Sequence, residues 1–117
     1  MWLYSQMAIN FATTQHLDRA FSALADPTRR AILARLARGE ATVSQLTSPF
    51  ALSQPTISKH LRVLEDAGLI ECGRDAQRRP RRLVPEALKD VDSWMAPFRR
   101  QWAARFDNLD AHLSKMK

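Results

Sequence analysis

Cysteine is nearly absent from this sequence. Cys72 is the only one in 117 residues, so an intrachain disulfide framework is excluded and a reducing compartment is expected. Long apolar runs are missing as well: none approaches the roughly 20 residues that a membrane-spanning helix needs. The apolar start, Met1-Trp2-Leu3-Tyr4-Ser5-Gln6-Met7, is interrupted by polar residues and lacks the basic flank of a signal peptide. Met7 is an alternative start, and a cytoplasmic protein is expected. The tools of catalysis are missing too. There is no Gly-rich phosphate loop, no Cys₂His₂-type metal spacing, and no nucleophile accompanied by a base and an orienting acid. The sequence therefore predicts neither an enzyme nor a bound cofactor.

What the chain does have is positive charge. Eighteen Lys and Arg against twelve Asp and Glu leave a net +6, which suits a polyanionic partner, either nucleic acid or an acidic membrane surface. The apolar fraction of 45% is ordinary for a folded chain, and the length allows one domain around one core.

The chain is punctuated as a series of helices. From Thr14, residues Leu17, Phe21 and Leu24 form the apolar face of a first helix. Asp26-Pro27 opens a second, with Asp as N-cap and Pro at the first helical position, where its missing N–H has no partner to lose. Ile32, Leu33 and Leu36 point inward there, Arg29, Arg30, Arg35 and Arg38 outward, and Gly39 is placed to stop the helix. Thr42-Val43-Ser44-Gln45 reads as a capping box at the head of a short third helix around Leu46, ending near Thr47 ahead of Pro49. After the link Phe50-Ala51-Leu52, Ser53 caps a fourth, with Ile57, Leu61 and Leu64 inward and Gly68 at its end.

Leu69 to Cys72 and Arg81 to Val84 then read as two strands of a hairpin joined by a polar loop, 74 to 80. Pro85 opens a last helical stretch reaching about Leu113. Its apolar residues, Leu88, Val91, Met95, Phe98, Trp102, Phe106, Leu109 and Leu113, make a coiled-coil-like stripe that is expected to form a dimer seam. Pro97 should kink this stretch or divide it in two. The expected fold is mainly α with one small β-hairpin: a winged helix-turn-helix over 14–84, an N-terminal arm over 1–13, and a helical dimerisation segment over 85–117.

Two short helices on a tight link, the second capped by Ser and rich in small polar and basic residues, describe a helix-turn-helix. Such a second helix enters the major groove of double-stranded DNA by its N-terminus. Ser53, Gln54, Pro55, Thr56, Ser58, Lys59, His60 and Arg62 are accordingly the candidate base-reading set, Gln being able to pair with adenine in bidentate fashion. Thr42, Ser44 and Gln45, at the head of the helix before it, are candidates for a phosphate. The hairpin loop adds Arg74, Arg78, Arg79, Arg81 and Arg82 against Asp75, which places +4 of the +6 within nine residues. A wing so charged follows the DNA backbone or inserts an Arg into the minor groove. A solvated loop is the plain alternative. A dimer would meet two half-sites of a pseudo-palindromic operator, so the expected function is a repressor or autorepressor. The competing reading is a winged-helix module that docks a protein and binds no specific DNA.

The stretch from Ala25-Asp26-Pro27-Thr28-Arg29-Arg30-Ala31-Ile32-Leu33 to Leu52-Ser53-Gln54-Pro55-Thr56-Ile57-Ser58-Lys59-His60-Leu61-Arg62-Val63-Leu64-Glu65-Asp66-Ala67-Gly68-Leu69-Ile70 resembles the ArsR family of bacterial repressors, in order and with family-like spacing over about 17–84. The resemblance implies a winged helix, dimeric through its terminal helices, that represses until an effector releases it from DNA. The soft-metal thiolates of some members fall at Thr42 and Ser44 here, where there is no thiol. Asp110-Ala111-His112 matches only the first half of the carboxylate–histidine site that others carry on the last helix. No metal site is expected, and the effector is unknown.

Some residues keep two readings. Cys72 is a small packing residue or a redox-sensitive thiol beside arginines. His60 contacts DNA or makes a structural hydrogen bond. Trp94, Phe98, Trp102 and Phe106 belong to a core or seam, or line an effector pocket. Trp2, Leu3 and Tyr4 would cover the partner subunit.

Overall fold

A computed structural model describes residues 15–73 and 78–116. The expectations for the 1–13 arm, Thr14 and Arg74 fall outside the described residues.

Helix α1 covers 15–24. It is followed by α2 (Pro27–Leu36), α3 (Val43–Thr47) and α4 (Gln54–Asp66), then strands β1 (Ile70–Cys72) and β2 (Arg81–Leu83), and, after a 3₁₀ turn at Pro85–Leu88, α5 (Lys89–Met116). The signals read from the sequence have the local geometry they imply. The Asp26 carboxylate accepts from the Arg29 backbone N–H at 3.1 Å. Thr42 Oγ1 accepts from Gln45 N–H at 3.2 Å while Gln45 Oε1 accepts from Thr42 N–H at 2.9 Å, a closed capping box. Helix α4 ends in the paired bonds of a Schellman turn, Leu69 N–H to the Leu64 carbonyl and Gly68 N–H to that of Glu65, with Gly68 at φ 74°. Leu64 and Leu69, the two apolar residues that flank this turn, are both fully buried.

The core is a single cluster. Ile32, Leu46, Ile57, Leu61, Leu64 and Leu69 fill its centre, and Ala20 and Ala23 bring α1 close against it. Phe21, expected inward, is instead exposed and meets Trp94 of α5 edge-on at 5.3 Å. The two alanines take the inward face of α1, which turns Phe21 toward α5.

The hairpin is antiparallel, with Ile70 opposite Leu83, Glu71 opposite Arg82 and Cys72 opposite Arg81. Ile70 and Leu83 close over the core, and Arg82 bonds Glu71 on the outer face. Cys72 does not pack, contrary to expectation. It lies at the open end of the hairpin, past the reach of the core, and is exposed. Arg81 is also bridged from its other side by Ala41, whose N–H and carbonyl exchange bonds of 3.0 and 2.7 Å with it, so β2 is flanked on both edges.

Of the two outcomes expected at Pro97, division does not occur: α5 runs through it as one helix. Proline removes one N–H, whose acceptor would be the Ser93 carbonyl; both residues are exposed, so solvent can take the place of that donor. The expected seam is split by depth. Val91 is only 9% exposed within the chain's own core, and Leu88 and Met95 pack against it. Trp94, Phe98, Trp102, Phe106, Leu109 and Leu113 remain uncovered.

Leu61→Ala, which removes a fully buried side chain of α4 from the middle of this cluster, lowers unfolding free energy by about 2–5 kcal/mol. Urea unfolding at fixed protein concentration measures it, and a loss below 1 kcal/mol would show that the cluster relaxes around the gap.

Candidate nucleic-acid interface

Burial of Ile57, Leu61 and Leu64 turns the opposite side of α4 outward. Ser53, Gln54, Pro55, Ser58, Lys59 and Arg62 are exposed there, and Thr56 is half-buried. The Ser53 and Thr56 hydroxyls lie 2.9 Å apart, and Ser53 Oγ also accepts from Thr56 N–H at 3.3 Å. Whichever hydroxyl donates to the other, one O–H remains free to donate outward.

The head of α3, the head of α4 and the wing converge on one open cleft of about 490 Å³, lined by Thr42, Val43, Ser44, Gln45, Gln54, Arg78, Arg79 and Arg81. Three groups singled out separately in the sequence thus share one wall. Arg78 and Arg79 are exposed, and neither has a carboxylate partner among the described residues. Ser44 is exposed, and Gln45 keeps its amide NH₂ free because only Oε1 serves the cap.

Two expected DNA contacts also have partners within the chain. His60 is half-buried, its Nδ1 facing Arg29 Nη1 at 3.3 Å and Asp26 Oδ2 at 3.8 Å. Its position on α4 turns it toward α2, where it meets both residues. Arg81, counted as a wing contact, donates from Nε to Glu65 Oε1 at 2.7 Å and is mostly covered. With Arg82 bonded to Glu71, the open charge of the described wing is that of Arg78 and Arg79, less than the raw count of arginines implied.

Arg29, expected to point into solvent, instead closes the corner between α1 and α2. Its Nε donates to the Ala23 carbonyl at 2.6 Å and its Nη2 to that of Ser22 at 3.2 Å. These are carbonyls at the end of α1, and that of Ser22 also accepts from the Ala25 N–H at 3.2 Å. Neither the Glu65 pairing nor the Ala41 bridge has a signal in the sequence. Their partner, Arg81, is too distant in sequence for any local pattern to reveal the pairing. The remaining candidates on α5, Asp110 and His112, are exposed, and no group of three His, Cys, Asp or Glu able to hold a metal occurs among the described residues.

A helix-turn-helix whose second helix bares a polar face, followed by a hairpin that shares a cleft with its head, defines a winged helix-turn-helix. The comparisons agree at every level. A family described as a helix-turn-helix domain matches residues 24–73. An HTH-type transcriptional regulator of Mycobacterium tuberculosis is 46% identical over 78 residues, 66% of this chain and 72% of that protein. The transcriptional repressor SdpR of Bacillus subtilis is 37% identical over 82 residues, 70% of this chain and 91% of that protein. A crystal structure of an ArsR family transcriptional regulator superposes with a TM-score of 0.69 at 41% identity, covering 77% of this chain and 93% of that one. A homodimeric winged helix-turn-helix DNA-binding domain from Mycobacterium bovis gives 0.61 at 27% identity, covering 85% and 89%. The chain belongs to the ArsR family of transcriptional regulators, and these relatives are regulators, not enzymes.

The hydrogen bond from Arg29 N–H holds the Asp26 carboxyl below its ordinary 3.8. A folded-state value below the unfolded one contributes stability that is present above the unfolded value and lost as pH falls through the folded one. The stability gap between wild type and Asp26→Ala is therefore constant above about pH 5 and narrows below about pH 4. Urea titrations across that range measure it, and a gap that widens on acidification contradicts the assignment.

Proposed function

We propose that the chain is a repressor that binds a pseudo-palindromic operator as a homodimer. The observation that carries this reading is the shared cleft, where Gln54 at the head of α4, the capped head of α3 and the exposed Arg78 and Arg79 face the same space. In this reading Gln54, Thr56 and Ser58 meet base edges, with Lys59 and Arg62 beside them. Thr42, Ser44 and Gln45 bind one phosphate at the rim. Arg78 and Arg79 hold the backbone beside it and supply position without sequence. No observation favours the protein-docking alternative.

Dimerisation rests on α5. Its 28 residues make a helix about 42 Å long, and from Pro97 to Lys115 every residue is exposed. Trp102 and Phe106 stand 48% and 66% accessible on a stripe continued by Leu109 and Leu113. A helical segment with no packing of its own, as α5 is beyond Pro97, is marginal in water, and this stripe is apolar enough to bury against a symmetric copy. Such pairing sets two recognition helices on successive major-groove faces, about 34–36 Å apart.

Substitution at the two kinds of contact separates their roles. Gln54→Ala changes base preference in selection from random duplexes. Arg79→Ala weakens all sites alike and lowers the slope of log affinity against log salt by about 1. The reverse pattern, or a complex insensitive to salt, would refute the assignment. Trp102→Asp yields monomers in sedimentation equilibrium; a variant that stays dimeric moves the seam off α5.

A further inference from the structure

The arginines of the wing are not equivalent. Arg78 and Arg79 stand open at the cleft, whereas Arg81, which also lines it, is held by both its backbone and its side chain. Its backbone exchanges two bonds with Ala41, ahead of α3. Its Nε donates to Glu65 in the last turn of α4 at 2.7 Å, and its Nη1 donates to the carbonyl of Arg79. The Arg81 side chain is 15% accessible and that of Glu65 30%, so the pair is better shielded from solvent than an ordinary surface ion pair. Arg79, which receives that last bond, has φ 39°, a left-handed conformation that a residue with a side chain adopts only when its surroundings hold it. Arg81 thus holds the entry to α3 through its backbone, and through its guanidinium it ties the end of α4 to the turn of the wing.

We propose that Arg81 and Glu65 form a strut that sets the wing at a fixed position against α4, so that Arg78 and Arg79 reach the phosphate backbone while α4 lies in the groove. Arg81 is then a positioning residue and not a DNA contact. The inference rests on the DNA-binding reading of the cleft. Two three-residue strands are a short lever on which to hold a charged loop, and the strut couples that loop directly to the helix it must work with. Glu65 provides the discriminating substitution. By charge alone, Glu65→Gln raises the net +6 by one and tightens binding to a polyanion. A broken strut does the opposite.

The test uses the full chain and a duplex enriched from random DNA by the wild type, titrated by fluorescence anisotropy at several salt concentrations. Glu65→Gln is expected to bind about 3- to 10-fold more weakly. It also loses about one unit of salt slope, as Arg79→Ala does, although no cation has been removed. Arg81→Gln behaves similarly, and the double variant binds no more weakly than Arg81→Gln alone. Thermal melts followed by circular dichroism establish that each variant is folded. Should Glu65→Gln fail to fold, Glu65→Asp keeps the charge, shortens the reach by one methylene and is expected to lose the same slope. Binding by the Glu65 variant that equals or exceeds wild type at unchanged slope overturns the strut, as do losses that multiply in the double variant. If Arg79→Ala leaves affinity and slope untouched, the reading of the wing fails and the strut falls with it. A normal Arg79→Ala effect beside a silent Glu65 variant overturns the strut alone.

Discussion

Ile57, Leu61 and Leu64 leave almost no surface to solvent, and α4 can therefore neither rotate about its axis nor slide along the core. Small polar side chains read bases only if the helix that carries them is presented at a fixed angle, because a hydrogen bond weakens steeply with misalignment. The contacts around α4 serve that requirement. Ser53 caps its head, the Schellman turn through Gly68 closes its tail, His60 meets Arg29 midway and Glu65 meets Arg81 near the end. A helix of 13 residues would be marginal by itself; within this set of contacts it is a rigid presenting element.

The positive charge is divided by environment. Arg29, Arg30 and Arg35 spend donors on backbone carbonyls at or beyond helix ends, and Arg81 and Arg82 are paired to glutamates. Arg78, Arg79 and Arg62 are left facing outward. A guanidinium has five donors in a planar fork and no acceptor. It suits both tasks, and burial decides which it performs.

Helix α5 has two parts that work differently. Up to Met95 it belongs to the domain, with Val91 in the core and Trp94 set against Phe21. Beyond Pro97 every residue to Lys115 is exposed, with no contact among the described residues deep enough to bury one. In the proposed dimer this second part gains its stability from a copy of itself, which makes folding of the segment and assembly one event. Pro97 is tolerated because the carbonyl it leaves without a donor belongs to an exposed residue, where solvent can take that donor's place.

The open-ended feature met first in the sequence was its single thiol, and the structure leaves Cys72 exposed at the wing without a packing role. Far more of the fold was legible. Caps at Asp26, Thr42 and Ser53, the stop at Gly68, the inward residues of α2 and α4 and the existence of the hairpin all follow from interactions within a few residues, where spacing along the chain is spacing in space. The family pattern over 25–70 made the architecture plain for the same reason. The sequence could not tell apart arginines whose surroundings differ only in the folded chain. Arg81 is 16 residues from Glu65, and Arg29 is 31 from His60; those meetings exist only once helices pack and the hairpin folds back. Likewise the stripe on α5 is continuous in sequence, but only tertiary packing decides that Val91 is consumed by the core while Phe106 is not. Local hydrogen bonding and periodicity chose the elements; long-range packing assigned each side chain its partner.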